Sequence, residues 1–169
     1  RKMNLQGRAV LLGDNINTDF IISGRYKFSI TDMKELAKHI MEDIDPEFPK
    51  KLKPGESIIV AGDNFGMGSS REQAPLVIKE SGIVAVIAKS FARIFYRNGF
   101  NIGLPLIQAD TSRIKDQDEL SVDFESSVLK DSTQGFSASI QPLSAVTRKL
   151  LADGGIINHL KKHQGKLEL

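Results

Sequence analysis

Cysteine is absent from the 169-residue chain, and its absence excludes several kinds of chemistry. The chain can form no disulfide, has no thiol nucleophile and offers no thiolate to an iron–sulfur cluster, so any such cluster must come from a partner. Histidine is scarce, and two of the three residues, His159 and His163, lie in a basic tail. We interpret this tail as a solvated polar segment in preference to a weak metal site, and we assign no metal ligand to the chain.

Long apolar runs and a large excess of one charge are also missing. No stretch approaches the ~20 consecutive apolar residues that span a bilayer, and residues 1–7 lack the apolar core of a signal peptide. These features predict a cytoplasmic location and no membrane partner. The 23 Lys and Arg residues against 21 Asp and Glu give a net charge of +2. This charge is too small for the basic field that sequence-independent nucleic-acid binding requires, so nucleic acid is not an expected partner.

The composition that is present, 40% hydrophobic and 26% charged, is that of one ordinary globular domain over residues 1–169. In the first two thirds of the chain, apolar runs and helical spacing predict strands at 9–12, 57–61, 83–88 and 102–107, and helices at 32–44, 70–80 and 90–98. Later patterns predict short antiparallel strands at 120–124, 127–130 and 136–140, and a helix at 144–152. Because strands and helices alternate in the central part, we expect an α/β fold with a mostly parallel central sheet.

The glycine-rich turn at 62–72 carries the most chemistry. It joins a predicted buried strand to a predicted helix, where free backbone N–H groups favour an anion. Glycines let the backbone approach a ligand, Ser69 and Ser70 can donate hydrogen bonds, and the planar guanidinium of Arg71 suits a carboxylate or phosphate. The plainer alternative is a glycine turn with a serine helix cap. The turn lacks the P-loop and dinucleotide-binding signatures, so a nucleotide-binding protein is a weak alternative.

Three segments, 13–19, 66–72 (Gly-x-Gly-Ser-Ser-Arg-Glu) and 89–105, together resemble the swivel domain of the aconitase superfamily. The resemblance covers roughly residues 7–108 and is strongest to the family of free-standing small subunits of 3-isopropylmalate dehydratase. It implies a swivelling β/β/α domain that docks on a large subunit carrying a 4Fe-4S cluster. It also implies a hydro-lyase of leucine biosynthesis that interconverts 2- and 3-isopropylmalate, a small hydroxy-dicarboxylate, by dehydration and rehydration.

The same resemblance implies roles for residues of the turn. Ser69 matches the serine that removes a proton from the carbon next to a carboxylate, and Arg71 with the Gly68 backbone would stabilise its alkoxide and bind a substrate carboxylate. Ser70 would either bind substrate or cap the following helix. Asp19 would orient Ser69 or Arg71, or else only form an Asx turn.

A loop at 24–30 would select the substrate in such a family. Tyr26 and Phe28 are the residues that we assign to the substrate, and Phe28 aligns with an arginine that binds an additional carboxylate in homoaconitases. An apolar side chain there suits an alkyl group, although Arg25 and Lys27 could also reach a carboxylate and a plain surface loop is a further alternative. Two arginines of the third motif, at 93 and 97, are expected to face solvent or the partner subunit.

Two other functions compete with this interpretation. A homoaconitase or another branched-malate hydro-lyase would use the same residues on a different substrate. An anion-binding or regulatory module without an enzymatic partner belongs to another class. Composition does not separate them, but purification with or without an iron–sulfur large subunit would.

Overall fold

A seven-stranded sheet organises the chain in the computed structural model, which describes residues 4–27, 32–69 and 71–169. Its strand order is β4-β3-β2-β1-β5-β6-β7. Strands β1 to β4 pair in parallel, whereas β5, β6 and β7 continue the sheet from β1 in antiparallel pairs. This arrangement confirms the predicted α/β fold. The strands are β1 Asn4–Leu11, β2 Ser57–Val60, β3 Ala85–Ala88, β4 Leu106–Gln108, β5 Glu119–Asp123, β6 Val128–Asp131 and β7 Phe136–Ser139.

The core lies around the two interior strands β2 and β3, in which every residue is buried. Continuous apolar runs are typical of parallel strands that are covered on both faces, and this is why these strands were visible in the sequence. The longer helices contribute buried apolar residues of their own, such as Val77 and Ile78. The helices are α1 Thr18–Ile21, α2 Gly24–Lys27, α3 Met33–Ala37, α4 Phe48–Lys51, α5 Gln73–Glu80, α6 Arg93–Asn101, α7 Ala145–Ala152 and α8 Ile156–Lys162.

The helix predicted over 32–44 is shorter than expected. Asp32 does cap it, since its side chain accepts from the Lys34 N–H at 2.9 Å, but α3 ends at Ala37. Met41 adopts a φ of +57° and donates its N–H to the Ile21 carbonyl at 2.9 Å. A hydrogen bond to a distant segment therefore replaces the helical one. The turns that follow α3 place Ile40 and Met41 in the core but leave Ile44 exposed.

Predictions around α6 also need correction. The helix predicted to end at residue 98 continues to Asn101. Gly99 is buried inside α6, where a Cβ would lie 2.5 Å from a methyl carbon of Leu106. The chain turns after Asn101 with Gly103 at a φ of +81°, so the strand predicted over 102–107 begins only at Leu106. The helix predicted from residue 70 begins at Gln73 without a side-chain cap.

The interpretation of the C-terminal tail as a solvated segment is wrong, because the tail contains α8 and His159 is only 1% exposed. Its Nδ1 lies 2.6 Å from a carboxylate oxygen of Asp153, and its Nε2 accepts from the Glu168 N–H at 3.1 Å. Asp153, His159 and His163 have potential ligand atoms within 4.8 Å of one another. Because both ring nitrogens of His159 are engaged and the Lys162 ammonium lies 3.0 Å from Asp153, we assign this cluster a structural role.

A pair of buried carboxyl groups, Asp118 and Asp131, predicts a pH-dependent contribution to stability. Burial, and then a hydrogen bond with Asp118, raise the pKa of Asp131. Burial opposes ionisation of Asp118 too, but hydrogen bonds from Asp131, the Lys115 N–H and Gln134 outweigh it and lower the pKa of Asp118. The side-chain amide of Gln134 lies between them, 2.6 Å from Asp118 and 3.4 Å from Asp131, and of the two carboxyl groups Asp131 holds its proton to the higher pH.

We expect Asp131→Asn to become progressively more stable relative to the wild type as pH rises. A raised pKa contributes stability that is present below the unfolded-state pKa and is lost as pH rises through the folded-state pKa, whereas asparagine stays neutral throughout. The measurement is the free energy of urea unfolding between pH 4 and pH 8, with the exposed Glu125→Gln as the control. A difference in unfolding free energy between variant and wild type that does not change with pH would contradict the raised pKa of Asp131.

No helix in the described part of the chain is long and apolar enough to cross a membrane.

Candidate active site

Three loops that follow β1, β2 and β3 meet at one edge of the sheet. Parallel strands place their carboxyl ends together, and hydrogen bonds join the loops beyond the strands. On one side, the Gly66 N–H donates to the Ile16 carbonyl at 2.8 Å and the Thr18 N–H to the Met67 carbonyl at 2.9 Å. On the other, the Ala92 N–H donates to the Phe65 carbonyl at 2.9 Å. The three motifs of the sequence therefore form one continuous structure.

Two glycines are required where these loops touch. Gly66 has a φ of +85°, and a Cβ there would lie 2.3 Å from a ring carbon of Phe95 in α6. Gly68 has a φ of +95°, and its Cβ would lie 2.7 Å from the side-chain amide of Asn17. The glycine spacing thus allows the turn after β2 to pack between the other two loops.

Ser69 is exposed at the end of this turn. Its carbonyl oxygen accepts a hydrogen bond at 2.9 Å from the hydroxyl of Thr18, which is 2% exposed. The Ser69 hydroxyl itself makes no hydrogen bond with any residue that the structure describes. The backbone of this serine is therefore held by a buried neighbour while its hydroxyl remains available to a ligand.

Arg71 and Asp19 come together across the two loops, which is one of the alternatives that the sequence left open. Arg71 Nε lies 2.9 Å from Asp19 Oδ1. This Nε is buried and has no aligned hydrogen bond within the described ranges, so the contact is an ion pair. The Asx turn predicted for Asp19 belongs instead to Asn17, whose side chain accepts from the Asp19 N–H at 2.8 Å.

A cavity of about 220 Å³ opens beside these residues and reaches the first turns of α6. Sequence reasoning expected Arg93 to face solvent or the partner subunit. The structure places this exposed side chain in the wall of the cavity, together with Asn98, whereas Arg97 is exposed and does not line it. Arg93 could have been predicted to line the cavity from its place in the third motif, at the start of the helix that follows the loop. The cavity is lined by Thr18, Gly66, Gly68, Ser69, Arg71, Ala92, Arg93, Ile94, Phe95 and Asn98.

The loop at 24–30, which the resemblance predicts to select the substrate, is only partly described. Tyr26 stacks on the ring of His39 at a centroid distance of 3.9 Å, and its hydroxyl lies 3.3 Å from Glu42. It does not line the cavity beside Ser69, and Arg25 pairs with Asp43 at 2.7 Å. Phe28 and Ser70 lie outside the described residues. The assignment of Tyr26, Phe28 and Ser70 to substrate binding therefore stays a prediction.

Comparison with known proteins places these loops in a known family. The model of the aconitase C-terminal domain matches residues 15–111, which span the three loops. Among solved structures, that of a 3-isopropylmalate dehydratase from Methanocaldococcus jannaschii superposes with a TM-score of 0.91. The two sequences are 49% identical, and the match covers 96% of each chain.

Curated relatives match over nearly the whole chain. A 3-isopropylmalate dehydratase small subunit 2 from Archaeoglobus fulgidus is 53% identical, with 95% of this chain and 97% of the relative covered. The 3-isopropylmalate dehydratase small subunit of Nautilia profundicola is 48% identical, with 94% and 95% covered. The small subunit 1 from Thermotoga maritima is also 48% identical, with 94% and 96% covered. With its three converging loops and this similarity over nearly its whole length, the chain belongs to the family of 3-isopropylmalate dehydratase small subunits, and its residues 15–111 match the aconitase C-terminal domain.

Proposed function

We propose that this chain is the small subunit of a hydro-lyase that interconverts 2- and 3-isopropylmalate by dehydration and rehydration in leucine biosynthesis. The observation that carries the proposal is the placement of the Ser69 hydroxyl beside the Arg71–Asp19 ion pair at a cavity. The names of the curated relatives support both the reaction class and the substrate. They favour isopropylmalate over the homoaconitase alternative.

A 4Fe-4S cluster of this kind of hydro-lyase does not fit the chain itself. Its usual ligands are cysteine thiolates, and the chain has no cysteine. We therefore place the cluster in a separate large subunit, and the relatives' designation as small subunits supports the existence of such a partner. The role of this chain is then to supply the other half of the active site.

Ser69 would act as the base that removes a proton from the carbon next to a substrate carboxylate. A serine hydroxyl is a weak base at neutral pH, so its alkoxide needs a nearby cation and hydrogen-bond donors. The guanidinium of Arg71 lines the same cavity and supplies the positive charge. Docking of the large subunit would exclude water from the cavity, and the lower dielectric would strengthen this stabilisation.

Arg71 would also bind a substrate carboxylate. Because its Nε faces Asp19, the two terminal nitrogens remain for a two-point contact with a carboxylate. Asp19 would act as a positioning residue that holds the plane of the guanidinium. The backbone of Gly68 approaches the ligand from the turn, and the loop that contains Tyr26 and Phe28 would contact the variable group of the substrate.

The experiment that tests the function is co-expression of the chain with its candidate large subunit. The isolated chain is expected to retain no stoichiometric iron and to have no activity. The complex is expected to convert 3-isopropylmalate in preference to homologous malates with a carboxylate in place of the alkyl group. The large subunit alone is the control.

Either of two results would contradict the proposal. Iron that stays bound in a stoichiometric amount to the purified chain would show that the cluster is not confined to the partner. A complex that turns over only the carboxylate-bearing malates would favour homoaconitase activity.

A further inference from the structure

The end of the turn that carries Ser69 is held at only a few points. Among the residues that the structure describes, Ser69 has one hydrogen-bond partner: its carbonyl oxygen accepts from the Thr18 hydroxyl at 2.9 Å. The next tether along the turn is the ion pair of Arg71 with Asp19. Thr18 and Asp19 are the first two residues of α1. The start of one short helix therefore holds both groups that the proposed mechanism uses for proton transfer.

Thr18 is itself firmly fixed. Its N–H donates to the Met67 carbonyl at 2.9 Å, and its carbonyl accepts from the Ile22 N–H at 3.2 Å. Asn17 caps α1, since its side chain accepts from the Asp19 N–H at 2.8 Å. The β-branched side chain of threonine also has few rotamers. The hydroxyl of Thr18 therefore has a defined direction from which to hold the turn.

We propose that Thr18 is a positioning residue for the base: its hydroxyl fixes the backbone of Ser69 and thereby the place of the serine hydroxyl beside Arg71. This inference rests on the proposed function, since it takes Ser69 as the base. Thr18 borders the cavity but is only 2% exposed, and its one O–H is already donated to Ser69. It therefore acts through the serine and offers no donor to a ligand.

The test is the steady-state kinetics of Thr18→Val in the reconstituted complex. Valine has nearly the shape of threonine but leaves the Ser69 carbonyl without its partner. We expect kcat for 3-isopropylmalate to fall by about tenfold to a hundredfold, because a small misplacement of a catalytic group is enough for such a loss. KM should stay within about threefold, since binding is not affected. Thr18→Ser keeps the hydroxyl and should retain kcat within about threefold of the wild type.

Thr111→Val is the matched control. Thr111 is also buried, and its hydroxyl donates to a backbone carbonyl 50 positions away, that of Ala61, at 2.7 Å. Ala61 is held independently, because its N–H donates to the Ile87 carbonyl at 2.8 Å. Thr111→Val should therefore lose unfolding free energy much as Thr18→Val does but keep the wild-type kcat. Equal kcat values in these two variants would overturn the proposal.

A double-mutant cycle tests whether Thr18 acts through the serine. Adding Thr18→Val to Ser69→Ala should lower kcat by less than about twofold, since the group that is positioned is already missing. A further loss of about tenfold would show that Thr18 acts by itself and would overturn the proposal. If Thr18→Val does not fold, Thr18→Cys takes its place, because a thiol is only a weak donor. Wild-type kcat in that variant would equally overturn the proposal.

A measurement on the isolated chain separates this role from the proposed function. The NMR order parameter of the Ser69 amide is expected to be about 0.85 in the wild type, Thr18→Ser and Thr111→Val, and below about 0.6 in Thr18→Val. An unchanged order parameter in Thr18→Val would overturn the positioning role. An inactive wild-type complex with the expected order parameters would remove the proposed function and leave Thr18 as the residue that fixes Ser69.

Discussion

Ser69→Ala is expected to lower kcat of the reconstituted complex by about 10²- to 10⁴-fold, the range that loss of a general base produces. The substitution removes one exposed hydroxyl that makes no hydrogen bond within the described chain. The backbone carbonyl of residue 69 would still accept from Thr18, so the turn should keep its conformation. We therefore expect unchanged thermal unfolding of the chain and unchanged association with the large subunit.

The control is Ser137→Ala, an exposed serine on strand β7, which should keep wild-type turnover. Size-exclusion chromatography and circular dichroism of both variants check assembly and folding. Near wild-type turnover of the Ser69→Ala complex would mean that another group removes the proton.

Gly66→Ala is expected to destabilise the chain and to abolish most activity, for two separable reasons. A φ of +85° costs a residue with a side chain about 1–2 kcal/mol. The new methyl group would also lie 2.3 Å from the ring of Phe95, and such overpacking typically costs about 1–3 kcal/mol more. Because relief of the contact moves the turn or α6, the geometry around Ser69 changes as well.

Gly135→Ala is the matched control for Gly66→Ala. Gly135 has a φ of +78°, but a Cβ there would meet no heavy atom of the described structure within 4 Å. The free energy of unfolding of this variant should therefore fall only by the cost of a positive φ at a residue with a side chain. The variant should keep its activity. The measurement is the free energy of urea unfolding of both variants together with turnover in the complex. Equal destabilisation of the two variants would show that the contact with Phe95 is relieved without cost.

Sequence patterns predicted best the strands and turns whose conformation is set by residues close together in the chain. The apolar runs of β2 and β3 were recognised because strands covered on both faces need no polar alternation. The glycine-rich turn was predicted to bind an anion because its backbone N–H groups, two serines and an arginine suit one, and this binding stays a prediction. The family resemblance left open whether Asp19 orients Ser69 or Arg71 or only forms an Asx turn, and the structure pairs it with Arg71.

Errors arose where a distant contact overrode a local preference. The helical spacing at 33–44 continues past Ala37, but the Met41 N–H bonds to Ile21 and the helix stops. The helix predicted over 90–98 was expected to stop before Gly99, because glycine often follows the end of a helix. Gly99 instead lies inside α6, where a Cβ would meet Leu106. The polar tail was taken for a solvated segment, although Asp153 and the Glu168 N–H satisfy both ring nitrogens of a buried His159.

The sequence by itself determined the chemistry available to this protein: no thiolate for a cluster, and a serine and an arginine in a glycine turn that favours an anion. Tertiary structure decided which groups meet. Thr18 holds the carbonyl of Ser69 from 51 positions away, and Arg93 enters the wall of the same cavity. The physical reason is that periodicity and turn composition report local burial and backbone conformation. Contacts between loops depend instead on the order and direction of the strands that carry them.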